Sequence, residues 1–144
     1  MRHHGLLPLL PLLLLALAGP AAAQAPVPKI PYRVMEQWTV RNPTGTCGYG
    51  RLIVINPSHR RAADLRALGR QLNNEAAGER VSLVVVYDNE RAARMWRTWG
   101  TEPREGTFHD RHLLGHYLRN ASTGESSFQL YPNGFGGPSE TVRY

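Results

Sequence analysis

Three histidines of the segment HDRHLLGH have the residue type and spacing that catalysis or metal binding requires: His109, His112 and His116. One imidazole can act as a general base, and several neutral imidazoles that converge on one point can bind zinc. On a helix the three side chains would share a face. Gly115 and the following Tyr117-Leu118 favour a loop followed by a strand. On a strand, His112 and His116 lie about 13 Å apart, at roughly 3.3 Å per residue. We therefore expect no metal site, and the histidines are weak candidates as ligands.

A thiol and a carboxylate are the other candidates for a catalytic site with His112 and His116. Cys47 lies in TGTCGYG, where the sequence predicts no helix N-terminus that would activate a thiolate, so an unreactive loop or core cysteine is favoured. Asp88 ends an apolar strand and precedes a helix, a place where acids catalyse reactions in open α/β sheets but also cap helices. With no second acid or base fixed nearby, we favour the cap.

Arginines form a second pattern, on two predicted helices. Arg91, Arg94 and Arg97 step along one side of the second helix, and Arg66 and Arg70 lie off the apolar stripe of the first. If both helices pack on one side of a sheet, these side chains form a surface for an anionic glycan, a lipid head group, a nucleic acid or a protein. Interleaved glutamates dilute this charge, so a solvated helix face is the simpler interpretation.

The first 23 residues have the three-part order of a secretory signal peptide. A basic head precedes an apolar run of 13 residues (6–18) that contains two prolines, and three alanines end at Ala23. A spanning helix needs about 20 apolar residues. We therefore predict cleavage after Ala23, or after Ala25, and a periplasmic or secreted protein. Arginine instead of lysine at almost every basic position indicates a GC-rich bacterial genome.

Composition limits the remaining possibilities. The chain has a formal net charge of +6 and a single cysteine, so Cys47 cannot form an intramolecular disulfide but can join two copies of the chain as a dimer. The glycines near Cys47 lack the Lys-Ser/Thr pair of a phosphate-binding loop, and we expect no cofactor.

Hydrophobic periodicity predicts one α+β domain over residues 32–144, after a proline-rich flexible leader at 24–31. The first strand alternates, so one face should carry Tyr32, Val34, Glu36, Trp38 and Val40, and the other Arg33, Met35, Gln37 and Thr39. A helix should begin at Asn56-Pro57 and a second after Asp88-Asn89. The predicted order is β-β-α-β-α-β-β in a mixed sheet with both helices packed on it; the strands are 32–40, 51–56, 81–87, 112–119 and 125–131.

These features favour a small exported protein, a non-catalytic binding or interaction module for an anionic partner. The alternative is an exported hydrolase whose site is centred on histidines at 109–116.

Overall fold

A computed structural model describes residues 26–41, 43–45, 47–98 and 103–144, so the predicted signal peptide at 1–23 lies outside the described residues. The described part is a mixed α+β fold with one six-stranded sheet and three α-helices. The strands are β1 (Tyr32–Arg41), β2 (Cys47–Ile55), β3 (Val81–Tyr87), β4 (Leu113–Asn120), β5 (Glu125–Leu130) and β6 (Glu140–Arg143). The helices are α1 (Ala62–Glu75), α2 (Glu90–Arg94) and α3 (Pro103–His112), with 3₁₀ turns at Pro57–His59 and Met95–Thr98.

The strands lie in the sheet in their order along the chain. Only β2 and β3 are parallel, joined by the crossover through α1, and every other neighbouring pair is antiparallel. The predicted mixed sheet with packed helices is therefore confirmed, with α3 and β6 as additional elements. None of the helices in the described part of the chain has the length and hydrophobicity needed to cross a bilayer.

The sheet separates two hydrophobic cores. On one face, Leu65, Leu68 and Leu72 of α1 pack against a cluster that includes Ile53 and Phe128. Each of these leucines is at most 2% exposed and contributes about 1.5–3 kcal/mol by burial. On the other face, a second cluster contains the alanines of α2 and Tyr87, with Phe108 of α3 packed against it. The helices thus cover opposite faces of the sheet.

A bulge in β1 overturns the predicted single alternation of that strand. The pairing of β1 with β2 shifts between Val34 and Glu36, so one extra residue, Met35, is inserted. Because side chains alternate with period two, the insertion reverses the faces on either side of it. Tyr32 therefore packs on the α1 core, whereas Trp38 packs on the α2 core.

Glycines extend β2 beyond its predicted start. The sequence predicts a loop up to Gly50, but β2 begins at Cys47. A Cβ atom at Gly48 would lie 1.7 Å from the carbonyl oxygen of Val81, and one at Gly50 would lie 2.1 Å from the ring of Trp38. These glycines permit close packing within the sheet instead of a turn.

The proline-rich segment before β1 has one packed anchor. Ile30 is 5% exposed and belongs to the α1 core. Its N–H donates to Oε1 of Gln71 at 2.9 Å, and Nε2 of Gln71 donates to its carbonyl oxygen at 3.3 Å. The chain therefore enters β1 held against α1.

Candidate functional site

The carboxyl ends of the two parallel strands lie side by side, and three segments of the chain meet there. The turn at Pro57–His59 follows β2, and Asp88 follows β3. Since β4 runs antiparallel to β3, the junction of α3 with β4 returns to the same edge, where the Asp88 N–H donates to the His112 carbonyl oxygen at 3.3 Å. This edge of an open α/β sheet is a common place for ligand sites.

Asp88 is the centre of this edge. Its side chain is 1% exposed, and its two oxygens have different partners. Oδ1 lies 2.6 Å from Nδ1 of His112, and Oδ2 accepts a hydrogen bond of 3.0 Å from Arg60. The predicted role of Asp88 as a helix cap is wrong, because the side chain of Asn89 caps α2 by accepting from the Ala92 N–H at 3.1 Å.

Arg60 fixes the position of the Asp88 carboxylate. Besides its bond to Asp88, its guanidinium donates to the carbonyl oxygen of Pro132 at 3.2 Å and to that of Arg111 at 3.0 Å. The side chain is 31% exposed, so the cation is half-buried between three segments. A guanidinium held in this way keeps the adjacent carboxylate in one position.

His112 has the orientation of a general base. Because a carboxylate oxygen accepts hydrogen bonds, Nδ1 is the ring nitrogen that donates to Asp88, and Nε2 is the nitrogen that can accept a proton in the neutral imidazole. The side chain is 20% exposed, so solvent reaches part of the imidazole. The ring packs against Phe108, with centroids 4.7 Å apart. A buried carboxylate that orients a partly exposed imidazole is the arrangement that general-base catalysis uses.

Arg91 adds a positive charge beside the same aromatic ring. Its Cζ lies 4.9 Å from the centroid of Phe108, the residue that also packs on His112. Among the described residues, Arg91 forms no ion pair. Within that part of the chain, its donors are therefore without an acidic partner on the ring that His112 also contacts.

The other two histidines have separate surroundings. His109 lies in α3 and not in the predicted loop; it is fully buried, with Nε2 2.6 Å from the Tyr87 hydroxyl and Nδ1 3.1 Å from Asp110. His116 lies in β4, with Nδ1 3.4 Å from the Tyr131 hydroxyl, and burial together with the charge of His109 lowers its pKa. Burial, with the negative charge of Asp110, raises the pKa of the Tyr87 hydroxyl. In the described ranges, no group of three or more His, Cys, Asp or Glu side chains is placed to hold a metal ion.

Cys47 lies far from Asp88 and His112. It is exposed at the start of β2, and its Sγ lies 3.5 Å from the Gly45 carbonyl oxygen. The strand of nine residues extends to the opposite end of the sheet, about 26 Å away at roughly 3.3 Å per residue. The structure thus joins two of the predicted catalytic candidates and separates the thiol from them.

The predicted arginines do not form one surface, because α1 and α2 lie on opposite faces of the sheet. Most of them also have acidic partners: Arg66 binds Glu140 with two hydrogen bonds, Arg97 pairs with Glu36, and Arg94 lies 3.8 Å from Glu90. Within the described part of the chain, only Arg70 and Arg91 of the five lack an ion pair. Acids therefore neutralise much of the predicted basic field.

The sequence did not indicate that Arg60 and Phe108 lie beside Asp88 and His112. Arg60 follows the Asn-Pro-Ser turn after β2, as Asp88 follows β3, so the two residues stand at the carboxyl ends of adjacent parallel strands. That correspondence could have identified the pair. Phe108 had no comparable signal, because residues 103–112 were expected to form no helix.

No protein-family model matches the chain, and no curated protein or solved structure shows significant similarity to it.

Proposed function

We propose that the protein is an exported hydrolase in which His112 is the general base and Asp88 orients it. The observation that carries this proposal is the 2.6 Å contact between the buried carboxylate of Asp88 and Nδ1 of the partly exposed His112. The signal-peptide pattern at 1–23 supports export.

The proposed reaction begins when Nε2 of His112 takes a proton from a water molecule. The resulting hydroxide attacks the electrophilic carbon or phosphorus of the substrate, and Asp88 stabilises the imidazolium that forms. The imidazolium then returns the proton to the leaving group, which restores neutral His112. General-base catalysis of this kind accelerates a reaction by about 10²–10⁴-fold.

Arg91 defines the class of substrate in this proposal. Its guanidinium stacks on Phe108 beside His112 and forms no ion pair within the described residues. The planar fork of donors fits a carboxylate or a phosphate. The substrate is accordingly a small ester or amide with an anionic group near the bond that is cleaved.

Hydrolysis of three p-nitrophenyl esters tests the proposal: the neutral acetate, the anionic hemisuccinate and the phosphate. In His112→Gln, kcat/KM should fall by at least about 100-fold. Arg91→Gln should raise KM for the two anionic esters and leave the acetate unaffected. Arg94→Gln is the matched control on the same helix, because Arg94 has an acidic neighbour and should leave all three rates unchanged. Equal rates for the wild-type protein and His112→Gln on every ester would contradict the proposal.

A non-catalytic module that binds an anionic partner is the second candidate. Lys29 and Arg70 line a cavity of about 420 Å³ between residues 26–31 and α1, beside the apolar Val27 and Pro28. Glu75 also lines the cavity, and its carboxylate accepts hydrogen bonds from Tyr32 and Gln71. Neither cation forms an ion pair in the described part of the chain, so the cavity suits a ligand with an anionic head and an apolar body. Decanoate binding that Arg70→Gln weakens, and that Arg66→Gln does not, would favour this function.

A further inference from the structure

A cavity of about 510 Å³ lies on the β1–β2 hairpin, at the opposite end of the sheet from His112. Residues of both strands of the hairpin line the cavity, together with Glu79, which lies just before β3. Gln37, Thr39, Tyr49, Arg51 and Glu79 contribute most of its polar groups. Gln37 is opposite Arg51 and Thr39 is opposite Tyr49 in the pairing of the two strands, so these four side chains share one face of the sheet.

Arg51 is held in a fixed orientation in this cavity. Its Cζ lies 4.1 Å from the centroid of the Tyr49 ring, and its Nε donates to Oε1 of Gln37 at 2.8 Å. Among the described residues, no acid forms an ion pair with Arg51. Within the described part of the chain, the two terminal NH₂ groups therefore remain available as a planar pair of donors, which matches the two oxygens of a carboxylate.

Glu79 supplies the opposite charge. Its N–H donates to the carbonyl oxygen of Ala76 at 2.9 Å, and its own carbonyl oxygen accepts from Arg119 at 2.9 Å, so the backbone is fixed on both sides. Its carboxylate forms no ion pair within the described ranges. A half-buried carboxylate without a cation favours a ligand that brings an ammonium group.

We infer that this cavity binds a zwitterionic ligand of the amino-acid or short-peptide class. Arg51 would hold the carboxylate of the ligand, and Glu79 would hold its ammonium group. One ligand would supply both complementary charges, because the two side chains line one cavity and neither forms an ion pair within the described residues. The volume accommodates a molecule of a few residues.

Titration of the uniformly ¹⁵N-labelled protein, followed by amide chemical shifts, tests this inference. Glycine, diglycine and triglycine are the probes, because they carry the same two charges at increasing separation. N-acetylglycine and glycinamide retain only one of the charges. We expect saturable shifts at Gln37, Tyr49, Arg51 and Glu79 with at least one of the three zwitterions, and at least about tenfold weaker binding of both analogues, since a hydrogen bond to a charged group contributes roughly 1.5–3 kcal/mol.

Two variants locate the binding. Arg51→Gln and Glu79→Gln should each weaken the best probe by at least about tenfold. Arg41→Gln, at the end of β1 and outside the cavity lining, is the matched control and should bind as the wild-type protein does. The inference would be overturned if none of the zwitterions gave saturable shifts at this cavity, or if N-acetylglycine and glycinamide bound as tightly as the zwitterions. Unchanged binding in both Arg51→Gln and Glu79→Gln would also overturn it.

Discussion

Asp88 and His112, which are 24 residues apart in sequence, are joined by a contact of 2.6 Å between Oδ1 and Nδ1. The contact closes the segment that contains α2 and α3, and it connects the end of β3 to the start of β4. Because Arg60 binds the second oxygen, the carboxylate is held at both of its acceptors. One buried acid therefore fixes the position of the imidazole and links three segments of the chain.

Replacing Asp88 by alanine should lower the free energy of unfolding by about 1–3 kcal/mol, because Arg60 and His112 lose a buried acceptor. Urea denaturation measures this loss. Asp64→Ala is the control, since Asp64 forms its ion pairs near the surface and its removal should change stability by about 0–1 kcal/mol. If Asp88→Ala lost no more free energy of unfolding than Asp64→Ala, the contacts of Asp88 with Arg60 and His112 would not stabilise the fold.

Gly134 holds the segment after β5 against α3. It has φ of +91°, and a Cβ atom there would lie 2.7 Å from the Asp110 carbonyl oxygen and 2.8 Å from the Arg111 Cα. Gly136 has nearly the same φ, +90°, with open space around the corresponding position. Alanine at either position costs about 1–2 kcal/mol for the left-handed backbone, and at Gly134 the clash adds about 1–3 kcal/mol.

Urea denaturation of Gly134→Ala and Gly136→Ala separates these two effects, because only the first variant has the clash. The displaced segment also carries the Pro132 carbonyl oxygen that accepts from Arg60, so activity on the esters should fall in Gly134→Ala alone. Equal losses of stability in the two variants would contradict the proposed contact with α3.

Tyr87→Phe should lower the free energy of unfolding by about 1–3 kcal/mol, since it removes a buried hydrogen bond of 2.6 Å to His109. Tyr131→Phe is the matched control, because the Tyr131 hydroxyl lies 3.4 Å from His116, at the limit of hydrogen bonding. Thermal or urea unfolding compares the two variants. Greater destabilisation of Tyr131→Phe than of Tyr87→Phe would contradict the stronger hydrogen bond between Tyr87 and His109.

Local sequence patterns predicted the elements whose side chains follow a regular period. The apolar run of β3 and the turn between β4 and β5 fall where the sequence indicates, because burial on both faces and turn chemistry leave local signals. The bulge at Met35 left none, because both faces of the sheet are packed, so apolar residues on either side of the bulge are buried on opposite faces without breaking the alternation in the sequence. Only the pairing with β2 reveals it.

Tertiary contacts explain the remaining differences. Residues 103–112 were expected to form no helix, and long-range contacts hold α3: the buried His109 lies against the Tyr87 hydroxyl, and Phe108 packs against the α2 core. The sequence identified Asp88 and His112 separately as candidates. Their contact depends on β4 returning antiparallel to β3, and that long-range pairing has no signal within either segment.

The pH dependence of stability should contain a contribution from His116. This side chain is half-buried beside Tyr131, and burial, assisted by the charge of His109, lowers its pKa below the ordinary value of 6.5. Between the folded pKa and 6.5, the unfolded chain binds a proton that the folded chain does not bind. Stability therefore falls as the pH drops through this window, and it is unaffected by His116 above the window.

The variant His116→Gln isolates this contribution, because glutamine keeps a polar side chain and does not titrate. The free energy of unfolding of the wild-type protein should decrease more steeply than that of His116→Gln as the pH is lowered from about 7 to 5, the range in which histidines titrate. Urea denaturation at several pH values gives both curves. An NMR titration of the His116 ring gives the folded pKa directly, and a midpoint at or above 6.5 would contradict the effect of burial.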